Sequence, residues 1–95
     1  MLGEVIFEWD EAKSAANHAK HGITLKAACE MWEGPVYVVE SGQPGEPRKL
    51  ALGRIAGRHW TIIFTLRGGR IRLISARRSR KEERHLHDEN ERQEP

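Results

Sequence analysis

The stretch Lys49–Arg78, KLALGRIAGRHWTIIFTLRGGRIRLISARR, decides the fold. It contains three runs rich in Ile, Leu, Thr and aromatic residues, roughly Lys49–Ile55, His59–Leu66 and Arg70–Arg77. Runs of that length and content favour strands. They are separated by Ala56-Gly57 and Gly68-Gly69, short glycine-containing links of the kind that close tight hairpins. The segment predicts an antiparallel meander. Side chains alternate across a sheet, so simple alternation in the last strand places Ile71, Leu73, Ser75 and Arg77 on one face. Arg70, Arg72, Ile74, Ala76 and Arg78 then share the other.

Upstream, Ser41–Pro47 reads as a loop on its Gly and Pro content, and Val36–Val39 as a further strand. Gly34-Pro35 stops a helix that Thr24 can cap. In that helix Leu25, Ala28, Cys29 and Trp32 recur at helical spacing and form one apolar stripe. Gly22 is suited to end an earlier helix as a left-handed cap. That helix runs from an Asp10 N-cap to about Lys20, and Glu4–Trp9 before it reads as a strand. Its alanines (Ala12, Ala15, Ala16 and Ala19) offer a small side for close approach to a sheet, with Lys13, Asn17 and Lys20 or His21 on a neighbouring stripe. Downstream, Ser79-Arg80-Lys81-Glu82 fits a capping box for a last helix. From Arg80 to Gln93 its only strong hydrophobe is Leu86. Such a helix lies on the protein through a few contacts, waits for a partner, or frays. The predicted architecture is α+β: two N-terminal helices packed on a mainly antiparallel four- to five-stranded sheet, with a polar C-terminal helix. One domain covers residues 1–84, and residues 85–95 are the helix end and tail.

Among the 95 residues 38% are hydrophobic and 32% charged, so the chain folds around a modest core with a polar exterior. No apolar run is long enough to span a bilayer, and the N-terminus has neither the basic nor the apolar part of a secretory signal. The lone Cys29 has no internal disulfide partner. These features predict a cytoplasmic protein without a membrane association. Charge is distributed unevenly: residues 1–47 carry a net −5, residues 48–84 a net +10, and residues 85–95 a net −3. A dense basic block suits a polyanion, because neutralising phosphates releases counterions. It is also what a solvated surface or the protected edge of a sheet displays.

Five histidines are present, but no Cys pair, HExxH or acidic cluster accompanies them. His85 and His87 are two apart and point to different sides of a helix, so neither a metal site nor any cofactor is expected. No P-loop or GxGxxG is present. Cys29, on an apolar stripe, reads as a small core residue. Phe7, Trp32 and Phe64 read as core; Trp9 could serve either as core or as a base-stacking platform. Guanidiniums on both faces at the end of the last strand suit phosphate, which Arg engages with a forked set of donors.

Phe7-Glu8-Trp9-Asp10-Glu11, followed by Lys13, Asn17 and Lys20-His21-Gly22-Ile23-Thr24, resembles the opening signature of the BrnT family, F-x-W-D-x-x-K-x-x-x-N-x-x-K-H-G. Leu52-Gly53, Gly57-Arg58, Ile63-Phe64-Thr65, Arg67-Gly68, Arg72–Arg77 and Glu83-Arg84 match in the same order, so the resemblance covers roughly residues 6–84. It implies a RelE-like fold and metal-independent cleavage of RNA by a type II toxin that inhibits translation. It also implies an antitoxin with a ribbon-helix-helix DNA-binding part, in a 2:2 complex that meets operator DNA only through the antitoxin. Carried over by position, the candidate catalytic residues are Lys13, His21, Arg67, Arg77 and Arg78. Lys20, Arg48, Arg58 and Arg70 are candidate RNA contacts. Leu25 stands where an aromatic is common, and the acidic tail is poorly matched. Two readings compete with the nuclease: a non-catalytic RNA- or ribosome-binding module, and a domain whose arginines dock an acidic protein.

Overall fold

The computed structural model describes residues 5–42 and 47–93. In chain order it has β1 (Phe7–Glu8), α1 (Glu11–His21), α2 (Leu25–Ala28), a 3-10 helix (Cys29–Glu33), β2 (Tyr37–Glu40), β3 (Lys49–Ile55), β4 (Arg58–Arg67), β5 (Arg70–Arg78) and α3 (Lys81–Gln93). The strands form one sheet in the order β1-β5-β4-β3-β2. Among the described residues only the β1–β5 pair is parallel. The α+β class and the mainly antiparallel sheet therefore hold. Residues 1–4 and 43–46, part of the predicted first strand and of the Ser41–Pro47 loop, lie outside the described residues.

Both hairpins have two-residue turns, Ile55 pairing with Arg58 and Arg67 with Arg70. Ala56 and Gly57 have positive φ (51° and 79°), as do Gly68 and Gly69 (54° and 81°). That combination matches the right-handed twist of the flanking strands. Asp10 caps α1 by accepting from the Lys13 amide, and Gly22 ends it at φ 80°.

One N-terminal α-helix, not the predicted two, stands as a full helix. The second is a single turn, α2, that tightens into the 3-10 helix. The cause is the spacing of its buried side chains. Leu25, Ala28 and Met31 are all fully buried and lie three apart, the repeat of a 3-10 helix, whereas Cys29 and Trp32 are only partly buried. This tightening brings Met31 onto β3 at Gly53, where an added Cβ would lie 2.7 Å from Met31 Cγ and 3.3 Å from the Pro35 carbonyl.

The inner side of α1 also departs from the alanine reading. Ser14 and Asn17 are its buried residues, and Ala12, Ala15, Ala16 and Ala19 are exposed. Ser14 Oγ accepts from the Leu25 amide at 2.9 Å. Asn17 donates to the carbonyls of Ile23 and Ala76 and accepts from the Ala76 amide. β1 covers only the Ile71–Arg72 part of the outer edge of β5, so Asn17 supplies the ladder bonds further along. A buried strand edge needs them.

On one face of the sheet, α2 and the 3-10 helix seal a core of Ile23, Leu25, Ala28, Met31, Ala51, Ile55, Trp60, Ile62, Phe64, Leu73 and Ala76. Trp32 sits edge-on between Phe7 (5.2 Å) and Phe64 (5.6 Å). Trp9 packs against this core and donates its indole N–H to Glu11. α3 lies on the opposite face. Its capping box is displaced by one residue: Glu83 Oε1 accepts from the Arg80 amide at 2.7 Å, and Ser79 bonds Thr61 instead. Leu86 is exposed, while Glu83 and His87 are buried beneath the helix.

Candidate active site

The face shared by α3 is only partly covered, and a break in strand regularity sets what the remainder displays. Ile63 pairs with Ser75 but Phe64 with Leu73, so Ile74 is an extra residue on β5. Such a bulge re-aims the side chains beyond it. Leu73, Ala76 and Arg78 consequently face the core side. Arg72 (opposite Thr65), Ser75 (opposite Ile63) and Arg77 (opposite Thr61) share the other face. This corrects the simple alternation, which put Ser75 and Arg77 with Leu73 and put Arg72 with Arg78.

Three adjoining hollows lie on this face. Lys13, Lys20 and His21 of α1 border one of about 430 Å³ with Ile63, Ile74, Ser75 and Arg77. Lys13 also borders a smaller one, about 110 Å³, with Arg48, Thr65, Arg67 and Arg72. The third, about 290 Å³, has Arg48, Ile63, Ser75, Arg77, Arg80 and Glu83 in its wall. Shared walls make these one continuous depression, and Glu83 is the only carboxylate among its described lining residues.

Glu83 organises the depression. Its carboxylate accepts from Arg77 through both guanidinium nitrogens, at 2.7 and 2.8 Å, and from Thr61 Oγ1 at 2.9 Å. Because the single Thr61 hydroxyl proton goes to Glu83, the Ser79 hydroxyl is the donor in its 2.8 Å bond to Thr61. Burial pushes the Glu83 carboxyl up. The hydrogen bonds from Arg77, the Arg80 amide and Thr61, together with the Arg77 charge, outweigh it and bring the pKa down to about 2. The same bond raises Arg77 above its ordinary value. A planar guanidinium gripped on two nitrogens has its plane fixed, so Arg77 presents its remaining donors in one orientation.

Of the residues singled out in the sequence, Lys13, Lys20, His21, Arg48, Arg67 and Arg77 all line the depression. Arg78 does not: its guanidinium stacks 5.5 Å from the Trp60 ring and Nε donates to the His59 carbonyl, on the core side. Arg58 is exposed where the β3–β4 turn enters β4. Arg70 is exposed at the β4–β5 turn, 3.8 Å from Glu8. Arg72, Ser75, Arg80 and Glu83 belong to the site and were not selected from the sequence. The capping box read from the sequence pointed to Glu82, and Glu83 stood only among the residues of the family resemblance; the bulge that turns Arg72 and Arg77 to one side left no cue.

Cys29 donates to the Leu25 carbonyl, and burial pushes its thiol up to about 11, which suits a packed residue and not a nucleophile. Within the described residues no helix is long and apolar enough to cross a membrane. A family model described as "Ribonuclease toxin, BrnT, of type II toxin-antitoxin system" matches residues 9–83. No curated protein matches the chain.

Proposed function

The chain belongs to the BrnT family of type II toxin–antitoxin ribonuclease toxins, and from that premise we propose that it is an endoribonuclease that cuts RNA in the basic depression by metal-independent transesterification. One observation carries the reading: Lys13 and His21 from α1 and Arg77 from the far end of the meander border a single hollow. In the proposed reaction the ribose 2′-oxygen attacks the adjacent phosphorus and the bond to the 5′-oxygen breaks. The products are a 2′,3′-cyclic phosphate and a 5′-hydroxyl. The attacking hydroxyl loses a proton and the leaving oxygen gains one. In this reading Lys13 or His21 moves these protons, histidine being the side-chain type suited to that near neutrality.

Negative charge grows on the phosphoryl oxygens in the transition state. Preorganised cationic donors stabilise it more than they stabilise the ground state. Arg77, fixed by Glu83, is the principal donor in this scheme; Arg67 and Arg72 border the adjoining hollow with Lys13 and add positive charge there, Arg72 while paired with Glu8. Lys20 and Arg48 hold flanking phosphates. Arg78, Arg58 and Arg70 have no part in the chemistry in this reading.

A type II family brings a protein antitoxin as partner. The ribbon-helix-helix character of that antitoxin, a 2:2 complex, operator binding through it, a RelE-like relationship of the fold and a cytoplasmic site of action complete the proposal. The test is cleavage of a labelled RNA by purified protein in the presence of a chelator. Arg77→Ala is expected to slow it by about 100-fold or more, the usual loss for one transition-state donor. Wild-type cleavage by that variant would overturn the scheme. A protein that shifts RNA on a gel without cutting it would establish a binding module instead.

A further inference from the structure

α3 crosses the sheet next to a second cluster, one helical turn beyond Glu83. His59 of β4 and His87 of α3 meet edge-on, ring centroids 5.6 Å apart, and Asp88 lies beside both. His87 is almost wholly enclosed, with 1% of its surface exposed. Its Nε2 lies 3.2 Å from the Pro35 carbonyl oxygen and 3.3 Å from Glu91 Oε1. Both are acceptors, so Nε2 carries the hydrogen. That leaves Nδ1 as a buried lone pair, and it has no hydrogen-bond partner. Buried polar atoms of this kind are rare enough to require a cause. Nδ1 is 3.9 Å from Asp88 Oδ1, and His59 Nε2 is 3.0 Å from the same oxygen. One donor atom from each of the three residues lies within 4.8 Å of the others.

We propose that His59, His87 and Asp88 form a site for a divalent transition-metal ion of the zinc class, with solvent completing the coordination. Two ligands of a tetrahedral zinc ion at bond lengths near 2.0–2.1 Å are about 3.3 Å apart, and the 3.0 and 3.9 Å separations straddle that distance. Two imidazoles and one carboxylate favour zinc, cobalt or nickel over magnesium or calcium, which prefer oxygen donors. The Pro35 carbonyl and the Glu91 carboxylate hold the far nitrogen of His87, as outer partners of a metal-bound histidine do. Asp88, the ligand nearest solvent, lines a surface hollow of about 440 Å³ with Arg54, Glu91 and Arg92.

Arg54 is the opposing charge, 3.2 Å from Asp88 Oδ1. The same nitrogen is 3.8 Å from Glu91 Oε2, so it keeps a carboxylate partner when Asp88 turns to the ion. The sequence raised no expectation of a metal, having no Cys pair, HExxH or acidic cluster and only the divergent His85 and His87 close together; the companion of His87 here is His59, which comes from β4. The ion would tie β4 to a helix with few apolar contacts. This site lies apart from the basic depression and stands whether or not RNA is the substrate.

The test is titration of the purified full chain with Zn²⁺ by calorimetry, paired with melting curves and with Co²⁺ as a spectroscopic probe. One Zn²⁺ per chain, a melting temperature that rises with free Zn²⁺, and visible Co²⁺ bands displaced by Zn²⁺ are expected. His59→Gln and Asp88→Asn, at positions only partly enclosed, should each weaken binding by about ten-fold or more. His85→Ala, exposed and paired with Glu89, should bind as wild type. Absence of binding to a folded wild-type chain, or equal binding by both ligand variants, would overturn the proposal.

Discussion

Leu25, Ala28 and Met31 close one face of the sheet with aliphatic side chains that are fully buried. On the other face α3 leaves its one large hydrophobe, Leu86, 41% exposed and turns Glu83 and His87 inward. The first face is held by removal of apolar surface from water, a force with little dependence on pH or partner geometry. The second buries Leu52, which pairs with Thr61, and α3 itself is held there by charge-assisted hydrogen bonds: Arg77 to Glu83, the Arg80 amide to Glu83, and His59 to Asp88. Such contacts are directional, and they respond to protonation. They also leave cationic groups at the surface in fixed orientations, which an aliphatic seal does not. The difference explains how a small chain combines a stable body with a charged working face.

Truncation on each side sharpens that contrast. Leu25→Ala should destabilise by about 4 kcal/mol, as for a fully buried leucine that leaves a cavity, with unchanged cleavage per folded molecule. Denaturant unfolding and active-site-normalised rates measure both. Glu83→Gln should cost about 3 kcal/mol, the loss when one partner of an enclosed ion pair is removed, and should also slow RNA cleavage because Arg77 loses its fixed plane. A Leu25→Ala protein that loses rate per folded molecule, or a Glu83→Gln protein that keeps it, would erase the division of labour.

Acid separates the faces next. The folded-state pKa of Glu83, about 2, lies below the ordinary value of 4.5. Its contribution is therefore complete above pH 4.5 and is lost as pH falls from there towards 2. Wild-type stability should decline across that window, and the decline should be shallower in Glu83→Gln, which has no proton to take up there. Parallel slopes in the two proteins would show that Glu83 does not supply the acid sensitivity.

The meander, both hairpin turns and the caps at Asp10, Gly22 and Thr24 were legible because each rests on local chemistry: glycine where φ is positive, a short polar side chain ahead of a helix. The core aromatics Phe7, Trp32 and Phe64 were legible from the same patterns. What escaped depends on pairing between distant residues. The bulge at Ile74 is a register choice between β4 and β5, and nothing in the residues 70–78 alone announces it. Asn17 read only as one member of a polar stripe because its partners, Ile23 and Ala76, meet it only in the folded chain. The shortened second helix was within reach, since Met31 at a spacing of three from Ala28 signals a tighter helix, but the stripe through Cys29 and Trp32 fits the ordinary period equally well. In the site, the lysines and the histidine of α1 were placed together by helical spacing, whereas Arg77 and Arg78 exchange faces at the bulge.

The smallest effect isolates what holds α3. If the helix were kept by a hydrophobic contact, Leu86 would supply it, being the only strong hydrophobe of the segment. Leu86→Ser removes that side chain and leaves Glu83 and His87 in place. The polar account expects a change within about 0.5 kcal/mol, the range of ordinary surface substitutions, and no loss of α3 protection in amide exchange. A full buried leucine contact would instead cost several times more. Loss of protection confined to residues 81–93 in Leu86→Ser would mean that the apolar contact, and not the Glu83–Arg77 pair, anchors the helix, and the two faces of the sheet would then be held by the same force.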